Sequence, residues 1–174
     1  MLLKISAFID SINSLMGRFI SYATIVMALL MFIIVVLRYG FNLGWIALQE
    51  SVTYLHAAVF LLGAAYTYQQ DGHVRVDIFY RRFTNRKKTW VNLLGSLCFM
   101  LPVSLYIAIV CIDYVAESWS LLEGSMEPGG LPLVFLLKTF IFLFSLSLVI
   151  QAVSEIIKHT LSLLNTPSVI KETP

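Results

Sequence analysis

The side chains in this sequence that could do chemistry are few and widely spaced. His56 is the one ionisable group inside a long apolar run, Lys138 interrupts another, and Arg38 and Glu50 bracket the connection "YGFNLGWIALQ". An intramembrane histidine can ligate haem, but haem usually takes two axial ligands at similar depth on facing helices. His73 and His159 fall at the other edge of the apolar runs, so His56 is expected to pack with a hydrogen bond or to face a partner subunit. Arg38 and Glu50 are expected to pair across one hairpin, with Trp45 between them as an interfacial ring. Lys138 can snorkel to Glu123 or Glu127, pair with an acid on a neighbouring helix, contact a partner subunit, or take part in moving an ion or substrate. The spacing of His, Cys, Asp and Glu makes neither a metal-ligand cluster nor a paired-acid site. No catalytic residue, substrate site, metal or cofactor is therefore expected in this chain. The glycines of "EPGGLP" lack the Lys and Ser/Thr of a nucleotide loop. They read as a turn, with Pro132 in the first turn of the helix that follows.

The elements that must hold these residues are membrane helices. Hydrophobic residues make up 59% of the chain and charged residues 13%, which is too apolar for an ordinary soluble domain. The net charge of +2 gives no reason to expect nucleic acid as a partner. Apolar stretches at 19–37, 51–70, 89–112 and 131–154 each approach or exceed the ~20 residues needed to cross the hydrocarbon. An all-α integral membrane protein follows, with four spans in one domain over residues 1–160. The connection between the second and third spans carries Arg75, Arg81, Arg82, Arg86, Lys87 and Lys88 against Asp71 and Asp77, a net of +4, and the positive-inside rule assigns it to the cytoplasm. The next connection carries Asp113, Glu117, Glu123 and Glu127 with no Lys or Arg before Lys138, so it suits the opposite side. Both termini are then cytoplasmic.

Ahead of the first span, Leu2, Ile5, Ile9, Ile12, Met16 and Phe19 recur every three or four residues, with Lys4, Asp10, Asn13 and Ser14 elsewhere on the wheel. That pattern predicts an interfacial amphipathic helix. The long apolar run begins only at Phe19 and lacks a small-residue cleavage site, so no signal peptide is expected to be removed. Residues 161–174, with two prolines and no periodicity, are expected to be disordered. Cys98 and Cys111 lie thirteen residues apart on one helix, too far to pair, and both are expected to be buried. Gly63, Ala64 and Ala65 offer a small-residue surface for close helix packing.

The stretch "DGHVRVDIFYRRFTNRKK", residues 71–88, divides in two. Gly72 permits a sharp exit from the second helix, and Val74, Val76 and Ile78 alternate with Arg75 and Asp77 as in an extended segment. Asp77 is expected to cap a short interfacial helix whose Ile78, Phe79 and Phe83 dip toward acyl chains. Arg81, Arg82, Arg86, Lys87 and Lys88 then lie where anionic lipid headgroups attract them, which is compatible with a bound phospholipid. An anchor does not need His73, Arg75 and Asp77 in fixed order after a glycine, so residues 72–77 are expected to build a specific turn that docks a partner.

Taken in order, "RYGFN", "IALQE", "AAVFLLGAAYTYQQDGHVRVDIFY", the acidic outer loop and "EPGGLP" followed by Lys138 resemble the small membrane subunit of tripartite ATP-independent periplasmic (TRAP) transporters, the DctQ-like family. The resemblance covers roughly Arg18 to Ile157. It implies a bacterial inner-membrane uptake system with a periplasmic solute-binding protein (DctP-like), a large elevator-type permease subunit (DctM-like) that holds the sodium and substrate sites, and this chain as a non-catalytic scaffold. Substrates of such systems are mostly organic acids. Arg38, Glu50, Gly72, His73, Arg75, Asp77, Gly130, Pro132 and Lys138 match the small-subunit pattern as structural or interface residues. The chain departs from many relatives in that Trp45 lies further upstream and Gln49 precedes a single Glu50. Two other readings remain: the membrane anchor of a redox complex and a free-standing four-helix transporter or chaperone.

Overall fold

The computed structural model of the chain describes residues 1–74 and 77–165, without the side chains of Asp77 and Asn165. Its elements are α1 (Leu2–Gly40), α2 (Ile46–Leu62), α3 (Ala64–Gln69), α4 (Asp77–Tyr80), α5 (Asn85–Gly95), α6 (Leu101–Ser120) and α7 (Val134–Asn165), with a π-helical segment, Ser96–Met100, joining α5 to α6. Four stretches are long and apolar enough to cross a membrane: Leu2–Gly40, Ile46–Gln69, Asn85–Ser120 and Val134–Leu164. Gly63 marks a turn between α2 and α3, but Thr67 N–H still bonds to its carbonyl at 3.0 Å, so one axis runs through both.

The N-terminal segment departs from expectation. It is not a separate interfacial helix but the first half of α1, which runs unbroken for 39 residues, or about 58 Å at 1.5 Å per residue. Its amphipathic wheel is also turned the other way. Ser6, Asn13 and Gly17 are buried, while Leu2, Ile5, Ile12 and Phe19 are exposed. Ser6, Asp10 and Asn13 face inward because α7 supplies partners for them, Lys4 stays exposed, and the apolar set divides, with Ile9 and Met16 half-buried beside α7. At Gly17 the Tyr66 ring packs so closely that a Cβ would overlap it. Asp10 precedes the apolar stretch 19–37, and Glu155, Lys158 and His159 follow the stretch 131–154.

α7 is the centre of the bundle and packs against α1, α2, α3, α5 and α6. Ser145, Gln151, Ala152 and Ser154 are wholly buried on it, and Leu148 nearly so. α6 presents a stripe of Ser104, Ala108, Cys111 and Ser118, also buried. Small side chains let two helices approach closely where water is not available to drive them together. Ala65 belongs to the same class at 1% exposure. Cys111 is buried as expected, but Cys98 is exposed, because it lies in the π segment on the outer side. That segment precedes Pro102, whose missing N–H cannot complete an α-helical bond, and Leu101 N–H reaches back to Ser96 O instead.

Helix α7 continues to Asn165, past the boundary at 160, while residues 166–174 lie outside the described residues. Helix α5 begins at Asn85, so Arg86, Lys87 and Lys88 fall in its first turn.

Candidate functional site: polar clamps at the two ends of the bundle

At one end, the start of α2 is tied to the loop between α6 and α7. Glu50 Oε1 accepts the Ser125 hydroxyl, and Oε2 accepts Leu131 N–H at 2.6 Å. The loop is folded to receive the carboxylate. Ser125 N–H bonds to Leu131 O at 2.9 Å, and Gly130 N–H to Glu127 O at 2.9 Å. Gly129 has φ of 80°, the left-handed region that glycine enters freely. At Gly130 a Cβ would collide with the Ser125 side chain and lie 2.8 Å from Glu50 Oε1.

The expected Arg38–Glu50 pair is not formed. Glu50 is engaged by Ser125 and Leu131, whereas Arg38 is exposed at the end of α1 and makes no ion pair among the described residues. Backbone and hydroxyl donors held by a folded loop replace a long, exposed guanidinium. Trp45 precedes α2 and is exposed. Pro132 is not in the first helical turn, since α7 starts at Val134. The Leu131 carbonyl is used by Ser125 of the loop and its N–H by Glu50 of α2, and a residue before proline is disfavoured in helical geometry.

Lys138 bonds to Glu123 Oε2 at 2.5 Å and lies 4.0 Å from the centre of the Tyr114 ring. Glu123 also accepts the Ser118 hydroxyl at 2.6 Å. The Lys138 bond and then Ser118 hold the Glu123 carboxyl below its ordinary range. Of the two acids considered for Lys138, Glu123 is the partner, while Glu127 uses its backbone N–H on Ser125 Oγ.

At the other end, the first turns of α1 are tied to the last turns of α7. Asp10 accepts Gln151 Nε2 at 3.0 Å, Ser154 Oγ at 2.9 Å and Lys158 Nζ at 3.0 Å. Asn13 Nδ2 donates to Gln151 Oε1 at 2.6 Å, and the Ser6 and Ser154 hydroxyls are 2.7 Å apart. Gln69 joins α3 to the cluster through the Asp10 carbonyl at 3.0 Å. Burial alone would raise the Asp10 carboxyl, but the bonds from Gln151, Lys158 and Ser154 outweigh it and bring it below its usual range. Burial likewise opposes the charge on Lys158, yet Glu155 and Asp10 together raise its ammonium above the ordinary value. His159 is pushed down by burial.

Sequence reasoning missed this second clamp. Its signal was a register of polar residues in α1, Ser6, Asp10, Asn13 and Gly17, opposite a similar register in α7, Gln151, Ser154, Glu155 and Lys158.

The remaining candidates are dispersed. His56 is exposed, stacks on Phe60 at 6.2 Å between ring centres and borders a groove of about 430 Å³ with Met27 and Met31. His73 is exposed, with its ring 5.8 Å from that of Tyr68. The exit from α3 has positive φ at Asp71 rather than at Gly72. Asp71 N–H bonds to Tyr68 O and Gly72 N–H to Thr67 O, a helix-ending motif in which a short polar side chain tolerates the left-handed residue. Gly72 is needed for closeness, since a Cβ there would lie 3.2 Å from the Thr67 methyl. Arg75, Val76 and the capping role of the Asp77 side chain lie outside the described residues. Ile78 is helical in α4, not extended. Arg81, Arg82, Arg86 and Lys87 are exposed, and Lys88 lies over the Tyr80 ring at 5.4 Å. Among the described residues no three His, Cys, Asp or Glu side chains come together as a metal site.

Neither the comparison with curated proteins nor that with solved structures returned a match. Residues 27–161 match the protein family described as "Tripartite ATP-independent periplasmic transporters, DctQ component". The matched region runs from the second half of α1 to the last turns of α7 and so takes in part of the first span, the other three spans and the Glu50 clamp. The chain therefore belongs to the DctQ component family of tripartite ATP-independent periplasmic transporters.

Proposed function

We propose that this chain is the small, non-catalytic scaffold subunit of its transporter and braces a large elevator-type permease subunit in the inner membrane. The transporter takes up an organic acid with sodium, and a periplasmic solute-binding protein delivers that acid. Sodium and substrate bind on the large subunit. The observation that carries the scaffold reading is that the charged side chains on the faces where the helices meet are committed to fixed internal bonds. Asp10 and Lys158 close one end of the bundle, while Glu50 and the Glu123–Lys138 pair close the other. A moving subunit breaks and remakes such contacts, whereas a brace keeps them. The first turns of α1 and the last turns of α7 share one end, and the distribution of Lys and Arg supports a cytoplasmic location for it.

The test is copurification and transport. The chain is expected to copurify with a large permease subunit. Deletion of either is expected to abolish uptake of the organic acid in proteoliposomes supplied with the binding protein and a sodium gradient. Sodium-dependent uptake by vesicles containing this chain alone would overturn the reading.

A further inference from the structure

An apolar groove of about 600 Å³ opens between the loop that carries α4 and the helix that follows it. Phe79, Tyr80 and Phe83 form one wall, and Gly95, Phe99 and Val103 form the other. The volume falls within the ~300–1,000 Å³ of small-molecule sites. Tyr80 is fixed by its hydroxyl, which donates to Asn92 Oδ1 at 3.2 Å, and by the Phe83 ring at 6.4 Å. The far wall includes Phe99 of the π segment, where the helix widens. Such segments recur at functional sites because they re-aim the side chains around them.

The rim of the groove is basic. Lys88 precedes Asn92, Gly95 and Phe99 on one helix face, and its Nζ sits 5.4 Å from the Tyr80 ring. Arg82 directly precedes Phe83, and Lys87 is one turn before Val91, a further lining residue. Arg82 and Lys87 are both exposed. An apolar trough with cations at one end matches a molecule with an apolar tail and an anionic head. We infer that the groove is a binding site for one anionic phospholipid, with an acyl chain along Gly95, Phe99 and Val103 and its phosphate between Arg82, Lys87 and Lys88. The site is distinct from both clamps. It requires that the chain lie in a membrane, but not that it assemble with a permease subunit.

Gly95 offers a selective test. A Cβ there meets nothing within 4 Å, so a larger side chain has room to start into the trough and Gly95→Leu is expected to occupy it. The full chain is incorporated into bilayers of equal phosphatidylglycerol and phosphatidylcholine, extracted in mild detergent and analysed by native mass spectrometry. Wild type is expected to retain phosphatidylglycerol in preference to phosphatidylcholine. Gly95→Leu, or Val103→Phe should the first fail to fold, is expected to lose retained lipid of both kinds while keeping its helicity. Arg82→Gln/Lys88→Gln is expected to lose the headgroup preference, roughly fivefold for each charge removed. Equal lipid retention by both groove-filling variants would overturn the inference, as would an unchanged preference in the charge variant. The same measurement on the assembled transporter covers the remaining occupant. If the lipid is absent there and Gly95→Leu abolishes copurification, the groove is a subunit interface and not a lipid site.

Discussion

Glu50, in the first turn of α2, accepts the backbone N–H of Leu131 at 2.6 Å and so joins the start of the second span to the entry of the fourth. Its other oxygen takes the Ser125 hydroxyl. Two elements about eighty residues apart are thereby joined by one carboxylate, and Arg38 has no part in it.

Glu50→Ala leaves the Leu131 N–H and the Ser125 hydroxyl without their acceptor and is expected to lower the unfolding temperature. Arg38→Ala touches none of these bonds and is expected to fall within about 0.5 kcal/mol of wild type. Thermal unfolding in detergent, followed by tryptophan fluorescence, distinguishes the two. Charge reversal at both positions is expected to be no better than Glu50→Arg alone, and a clear recovery in the double variant would restore the discarded ion pair.

Gly130 is where the same clamp excludes a side chain. A Cβ would overlap Ser125 and crowd the Glu50 carboxylate, so Gly130→Ala is expected to destabilise by about 1–3 kcal/mol. Gly95→Ala, in open space within a helix, is expected to be neutral or to stabilise by up to about 1 kcal/mol. Equal effects at the two glycines would show that helix propensity or chain entropy, and not the clamp, sets the cost.

The four spans were legible because length and apolarity suffice to identify a membrane helix, and "EPGGLP" was legible as a turn from its glycines and prolines. The partner of Glu50 was not. Proximity in sequence favoured Arg38, whereas the actual donors are a hydroxyl and a backbone N–H whose positions depend on how a distant loop folds. The first half of α1 failed for a related reason. A polar stripe on an amphipathic helix can face water or another polar stripe, and the hydrophobic period is the same in both cases. Only the facing residues Gln151, Ser154 and Lys158 decide between them.

The Asp10–Lys158 clamp makes stability depend on pH in a defined direction. Asp10 is held below its ordinary value, so its contribution is present above the unfolded value of about 3.9 and is lost as pH falls through the lower folded value. Lys158 is held above its ordinary value. Its contribution is full below about pH 10.4 and is lost as pH rises through the higher folded value. The difference in thermal stability between wild type and Asp10→Asn is expected to be constant across neutral pH and to shrink below about pH 4. A difference that persisted unchanged at pH 3 would mean that the carboxylate charge contributes nothing to the clamp.

The Lys138–Glu123 pair separates a structural role from a transport role. The Lys138 side chain is 16% exposed and that of Glu123 36%. Glu123→Gln therefore leaves an ammonium in the apolar span with mainly the Tyr114 ring for company, whereas Lys138→Met leaves a carboxylate that still has Ser118 and water. Removing one partner from a buried pair is destabilising, and replacing both with groups of similar shape is often neutral. Glu123→Gln is expected to lower thermal stability most, Lys138→Met less, and the double variant least of the three. A brace also predicts that the double variant, once assembled with its permease subunit, transports at the wild-type rate. If instead the double variant folds and assembles normally but loses uptake, Lys138 acts on the moving ion or substrate, and the scaffold reading of this chain must be given up.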